Sequence, residues 1–340
     1  PYMRIKKSSQ PTTHITCTRM ERDLSAEVAY LRGDVRIHHS DYNILADLAT
    51  YTDAKELIEI PDNPRILGKG EYLTGDRILY YTGEEKAVLD GRAIYATYEQ
   101  PAEERISLEQ FARTHGPVSD EALEKARREN PDRARQIAEK EKTAKEESSG
   151  PLLQVLSADR IEHIFKDKKN PITHITGNVL FTDPYRQLRS PALTGTGPSL
   201  AVLTTDQGVE FLDKKENVRV KAREMDYQRQ KQFLTLSGDP EVEFLDEKTQ
   251  EVTGTLTGAY IERDFQTEVT IARGNVELNR GSDRARGEIA RYEEKNGYLE
   301  FIGNPRIFRD GSWIQCSKVR MYPDQDRIIF EKNIKGAVIQ

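Results

Sequence analysis

A repeat held in fixed register runs through this chain, and it limits the fold more than any other feature. Gly33-Asp34-Val35 is followed by Tyr51 and then by Asp62-Asn63-Pro64-Arg65-Ile66. Gly274-Asn275-Val276 is followed by Tyr292 and then by Gly303-Asn304-Pro305-Arg306-Ile307, with both intervals identical to those of the first copy. A third copy places Gly238-Asp239-Pro240-Glu241-Val242 beyond Tyr227 at the same interval that separates Tyr51 from Asp62. Self-similarity on this scale describes one supersecondary unit stacked on copies of itself, each burying a face against its neighbours. It argues against a function concentrated in one catalytic constellation.

Each copy opens on a short strand: Arg19-Met20-Glu21, Arg77-Ile78, Tyr260-Ile261-Glu262. The steps from Met20 to Gly33, Ile78 to Gly91 and Ile261 to Gly274 are equal, and the copy from Ile161 to Gly177 carries a short insertion. Met20 to Ile78 and Ile261 to Val319 are full cycles, again of equal length. The cycle from Ile161 is longer, with extra turns near Pro191 to Pro198 and Asp246 to Glu251. Within a cycle, apolar and polar residues alternate, as in Val35-Arg36-Ile37, Val242-Glu243-Phe244, Leu299-Glu300-Phe301 and Val319-Arg320-Met321. Alternation of period two sets one face on a core and one in water. The Gly-Asn, Gly-Asp and Asn-Pro steps are read as tight turns between such strands, with glycine supplying positive φ and proline excluded from central strands. Short turns predict antiparallel pairing.

The apolar share, 36% against 32% charged, is low for 340 residues and suits a thin β structure rather than a thick core. A net charge of −6 argues against nucleic acid as partner. No apolar run is long enough to span a membrane as a helix. No signal peptide is visible, and a start at Pro1 is expected of a chain whose leader or anchor has been removed. Cys17 and Cys316 lie near opposite ends of the repeat array and are not expected to pair.

Three segments follow: a first β domain over 1–100, a charged helical insertion over 101–151 and a longer β domain over 152–340. Ser107-Leu108-Glu109-Gln110 reads as a capping box, and the Ala, Glu, Lys and Arg of Ser119 to Glu147 favour helix, interrupted at Pro131. Its apolar positions are sparse, so the segment reads as a solvated connector in preference to a partner-binding helix.

Together the strand-opening Arg19-Met20-Glu21 and Arg160-Ile161-Glu162, the Gly-Asn-Val steps at Gly177 and Gly274, and the turn at Gly303 resemble the OstA-like β-jellyroll family. That family comprises the LptA-type modules of lipopolysaccharide transport, including LptC and the N-terminal module of LptD. Ala46 to Tyr51 and Ala222 to Tyr227 look like the family's Ala-x-x-Ala-x-Tyr strand. The resemblance covers 1–98 and 152–340, in a chain about twice the length of one such module. It implies an all-β, antiparallel β-jellyroll (a β-taco) with an apolar groove that carries the acyl chains of lipopolysaccharide. It also implies a periplasmic location, no cofactor, and end-to-end strand addition to other Lpt-type modules or to a second copy. Edge strands near Thr13 to Met20 and Ile334 to Ile339 are the expected joints.

Register nominates inward residues for that groove. In the first part they are Val35, Ile37, Ile44, Ile58, Ile60, Ile66 and Tyr80. In the second they are Val179, Phe181, Phe211, Val220, Leu234, Leu236, Val242, Phe244, Val276, Leu278, Leu299, Phe301, Ile307, Val319 and Met321, with Glu59, Glu243 and Glu300 facing out. Any β stack needs such residues as core, so two readings stand: a lipid-transport bridge, and a ligand-free structural scaffold of the cell envelope. A parallel β-helix enzyme acting on carbohydrate is disfavoured by the antiparallel meander and the length of the cycle. His38-His39 cannot share a metal, because adjacent strand residues point to opposite faces. Gly195-Thr196-Gly197-Pro198 has neither the helix nor the lysine of a phosphate loop. No nucleophile–base pattern has motif support, and no catalytic or metal site is expected.

Overall fold

A computed structural model describes residues 1–5, 12–39, 42–62, 64–67, 71–98, 153–167, 169–309, 311–322 and 327–337. The proposed helical insertion over 101–151 lies outside the described residues. Within them the protein is all-β and antiparallel, a β-jellyroll, and its only helical turns are two short 3-10 turns at Asp53–Lys55 and Glu294–Asn296. The chain divides into two compact units, Pro1–Gly83 with Leu89–Leu156, and Glu84–Val88 with Ser157–Gln340.

In each unit the strands form two antiparallel ladders, and single strands pass from one ladder to the other. Val28–His39 pairs through residues 28–32 with Arg19–Asp23, and through 36–39 with Thr13–Thr16. Val269–Arg280 does the same in the second unit, with Tyr260–Asp264 beside its first half and Val252–Thr257 beside its second. The step between ladders is where the repeat motif sits. Gly33-Asp34, Gly177-Asn178 and Gly274-Asn275 lie inside long strands, at register shifts between Arg32 and Val35, Thr176 and Val179, and Arg273 and Val276. The reading of these steps as turns between strands is therefore corrected: they are bulged corners within strands. Both residues of each step have positive φ (78° and 50° at Gly274 and Asn275), a conformation open to glycine and tolerated by Asn and Asp.

Corners stack on corners. The Thr18 amide donates to the Gly33 carbonyl at 2.7 Å, and Asp76 to Gly91 at 2.8 Å. Ala259 donates to Gly274 at 3.0 Å. The donor in each case directly precedes a strand-opening residue, so these three copies share one step from strand opening to corner.

At the other end of the strands, hairpin tips share a different device. Asp23, Asp183, Asp213, Asp246 and Asp264 each accept from the backbone N–H groups two and three residues on. In four of these tips the residue at plus four (Glu27, Asn217, Gln250, Glu268) is left-handed, closing the turn.

The expected N-terminal edge over Thr13 to Met20 holds at Arg19 and Met20, which open an outermost strand, and is corrected at its start. Thr13–Thr16 is paired on both sides, by Tyr2–Ile5 and by residues 36–39. The outermost described strands are Tyr2–Ile5 and Arg19–Asp23 in the first unit, and Arg327–Glu331 and Lys335–Ala337 in the second. Val338 and Ile339, part of the expected C-terminal edge, lie outside the described residues. Cys17 and Cys316 are buried free thiols.

Candidate functional site

The interior of each unit is built from rows of residues that face one another across neighbouring strands. In the first unit one row runs Ile15, Ile37, Ile44, Ile66, Leu73, Tyr95, each paired to the next. None is more than 3% exposed. In the second unit a row of nine begins Phe181, Leu188, Phe211, Val220 and continues through Val242, Leu256, Leu278, Ala285 and Ile307 without a polar member. The other ladder contributes Met225, Leu236, Ile261, Ala272, Ala290, Phe301 and Val319 in register. Strand alternation makes these rows, because a period-two sequence in a bulge-adjusted register always returns its apolar residue to the same face.

The sequence-nominated residues fall on these faces with one exception. Val35, Ile37, Ile44, Ile58, Ile60, Ile66 and Tyr80 are buried, as are Val179, Phe181, Phe211, Val220, Leu234, Leu236, Val242, Val276, Leu278, Leu299, Phe301, Ile307, Val319 and Met321. Phe244 is not; it is half-buried. A register shift follows it, between Phe244 and Leu245, and its cross-strand partners are Val218 and Gly254 rather than the members of the apolar row. Leu245 takes the buried place instead.

Glu243 and Glu300, expected to face out, are buried, at 7% and 5% exposure. Each is flanked by two cations on the next strand. Glu300 receives Lys318 Nζ at 2.6 Å and Arg320 Nη2 at 2.9 Å. Glu243 receives Arg219 Nη1 at 2.8 Å and also Lys221 Nζ. The alternation signal put these glutamates on the outer face; long basic side chains then fold over and cover them. Hydrogen bonding from Lys221 holds the Glu243 carboxyl below its ordinary value. At Glu300 burial opposes ionisation, but the bonds from Lys318 and Arg320 outweigh it and the net direction is also down. A lowered carboxyl contributes stability above its unfolded value near 4.5 and loses it as pH falls through the folded value. The stability of the second unit should therefore drop as pH falls below about 4.5, and Glu300→Gln should flatten that drop. Urea midpoints for wild type and variant across the acid range test this; parallel curves would exclude Glu300 as a contributor.

Buried histidines form a feature the sequence did not announce. His39 Nδ1 lies 2.7 Å from Thr13 Oγ1 in the first unit, and His163 Nδ1 lies 2.9 Å from Thr173 Oγ1 in the second. Both threonines open a Thr-His-Ile-Thr tetrapeptide, a signal present in the repeat. His38 is exposed and bonded to Asn43, on the face opposite His39. His174 is exposed and His14 half-buried. Among the described residues no group of three or more His, Cys, Asp and Glu is arranged to hold a metal ion.

Two recesses open on the second unit. One, of about 430 Å³, is lined by hydroxyls and carboxylates, including Thr194, Thr204, Asp226 and Thr235. The other, about 60 Å³, lies among Arg186, Asp213, Lys215, Arg263 and Phe265.

No known family matches the chain, and no curated relative does. Among solved structures it has a distant likeness to LptH, the LptA-homologous periplasmic component of the lipopolysaccharide transport device of Pseudomonas aeruginosa. The two are 15% identical, with 37% of this chain and 98% of that chain covered, at a TM-score of 0.33. No described helix is long and apolar enough to cross a membrane.

Proposed function

We propose that this protein is a non-catalytic lipid carrier of the cell envelope, taking the acyl chains of lipopolysaccharide or a related lipid between the two ladders of each unit. The observation that supports this reading is the unbroken apolar row in each unit, running from Ile15 to Tyr95 in the first and from Phe181 to Ile307 in the second. Such a row offers an acyl chain an uninterrupted apolar path, and a packed core needs the same residues. Transfer from water contributes about 0.8 kcal/mol for each methylene buried. The resemblance to LptA-type modules adds the periplasm of a double-membrane bacterium as location. The outermost strands would join other such modules, or a second copy, by strand addition.

One observation favours the second reading, a ligand-free scaffold: every nominated residue except Phe244 is buried. An acyl chain must part the ladders to reach them. Photo-crosslinking in cells making lipopolysaccharide separates the readings. A photoreactive residue replaces Ile60, Leu278 or Phe301, with exposed Arg36 and Arg286 as outward controls. Lipid adducts confined to the inward positions are expected. Adducts at none of them, in folded protein, would leave the scaffold.

A further inference from the structure

The side of the second unit opposite its corners is bridged by a cluster that joins the hairpin tips of one ladder to those of the other. The strands Arg186–Thr196 and Val209–Asp213 bring Arg186, Asp213 and Lys215 to the margin of one ladder. Tyr260–Asp264 and Asp283–Glu293 bring Phe265, Glu268 and Glu294 to the margin of the other. Between the margins, Lys215 Nζ lies 3.5 Å from Glu294 and 3.9 Å from Glu268. The Arg186 guanidinium stands 4.1 Å over the Phe265 ring and donates to the Tyr227 hydroxyl at 3.2 Å. Phe265 itself reaches inward, with ring centroids 6.1 Å from Phe211 and 6.0 Å from Tyr227. Phe211 belongs to the long apolar row of this unit.

We propose that this cluster is the port of the second unit, with Phe265 as the plug and the Arg186 and Lys215 contacts as the latch that holds it. The proposal rests on the carrier reading for what passes through the port, a single acyl chain, but not for the port's opening. Three features support a port over a permanent seal. The recess beside the plug already holds about 60 Å³. The Lys215 side chain is 60% exposed, so its two ion pairs across the gap are weak and readily exchanged for water. The plug is carried on a hairpin tip, the kind of segment that opens locally at little cost. Within the cluster, burial together with a hydrogen bond shared with Glu294 raises the Glu216 carboxyl above its ordinary value.

Native-state amide exchange together with uptake of the apolar fluorophore N-phenyl-1-naphthylamine tests both parts. Lys215→Glu should speed exchange at tips 213–218 and 264–269 about three-fold. Phe265→Ala should speed it about ten-fold and raise the rate of fluorophore uptake. Strand 286–290 should not change, which shows that global unfolding is not the cause. Lys248→Glu, on the separate tip after Asp246, is the control. Tips no faster than in the control would overturn the port. Faster tips without fluorophore uptake in any form of the protein would support the port and count against the carrier.

Discussion

Phe301→Ala is expected to destabilise the second unit by about 3–5 kcal/mol, while Phe244→Ala costs about 1 kcal/mol. Both residues occupy the same place in the alternation, third after a Val or Leu and a Glu. Only the structure separates them. Phe301 has no exposed surface and pairs across strands with Ala290 and Val319. Truncating it removes a large ring from a site whose small neighbour Ala290 cannot refill the space, so transfer and cavity terms both apply. Gly287 shows how close the fit is: a Cβ there would come within 3.2 Å of the Phe301 ring. Phe244 sits before a bulge, half-exposed, opposite Gly254, and its loss leaves no closed cavity. Denaturant unfolding of the two variants gives the comparison. Equal losses would mean that the register shift between Phe244 and Leu245 is misplaced.

That pair also marks how far the sequence can be read. Period-two alternation is a strong signal where pairing is regular, and Phe244 is the single nominated inward residue that it misplaces. It fails where the regular ladder ends, because Phe244 is the last residue before the register shift and faces Gly254, which cannot cover it, and no local residue pattern distinguishes Val242-Glu243-Phe244 from Leu299-Glu300-Phe301. The glutamates fail for a different reason. Their orientation is legible, but burial of an outward Glu depends on which long cations stand on the neighbouring strand, which is a tertiary fact. Lys318 and Arg320 are adjacent to Glu300 only after pairing. The aspartate-closed tips are a legible signal that alternation alone does not use. Asp23, Asp213, Asp246 and Asp264 recur at strand ends with a left-handed residue four later, a pattern that spacing carries. The port around Phe265 is beyond reach of the sequence, since its partners come from strands of two ladders.

Gly274→Val is expected to cost about 2–3 kcal/mol, well above the about 1 kcal/mol expected for Gly281→Ala. Both glycines have positive φ, 78° and 58°. Around Gly281 nothing lies within 4 Å of an added Cβ, so only the backbone conformation is penalised. At Gly274 an added Cβ would stand 2.9 Å from the Ala259 Cβ, and the Gly274 carbonyl accepts the Ala259 amide that ties one corner to the next. A β-branched side chain is strained by the dihedral and collides with the stacked corner together. Asn275→Gly, one residue on at φ 50°, should change stability by only a few tenths of a kcal/mol, because glycine adopts that conformation freely. Gly274→Ala falls between, and thermal unfolding of the series ranks them. Should Gly274→Val prove no worse than Gly281→Ala, corner stacking would not be what fixes the glycine. The consequence reaches the interior. The corners are where one strand serves both ladders, so they set how the two apolar faces meet.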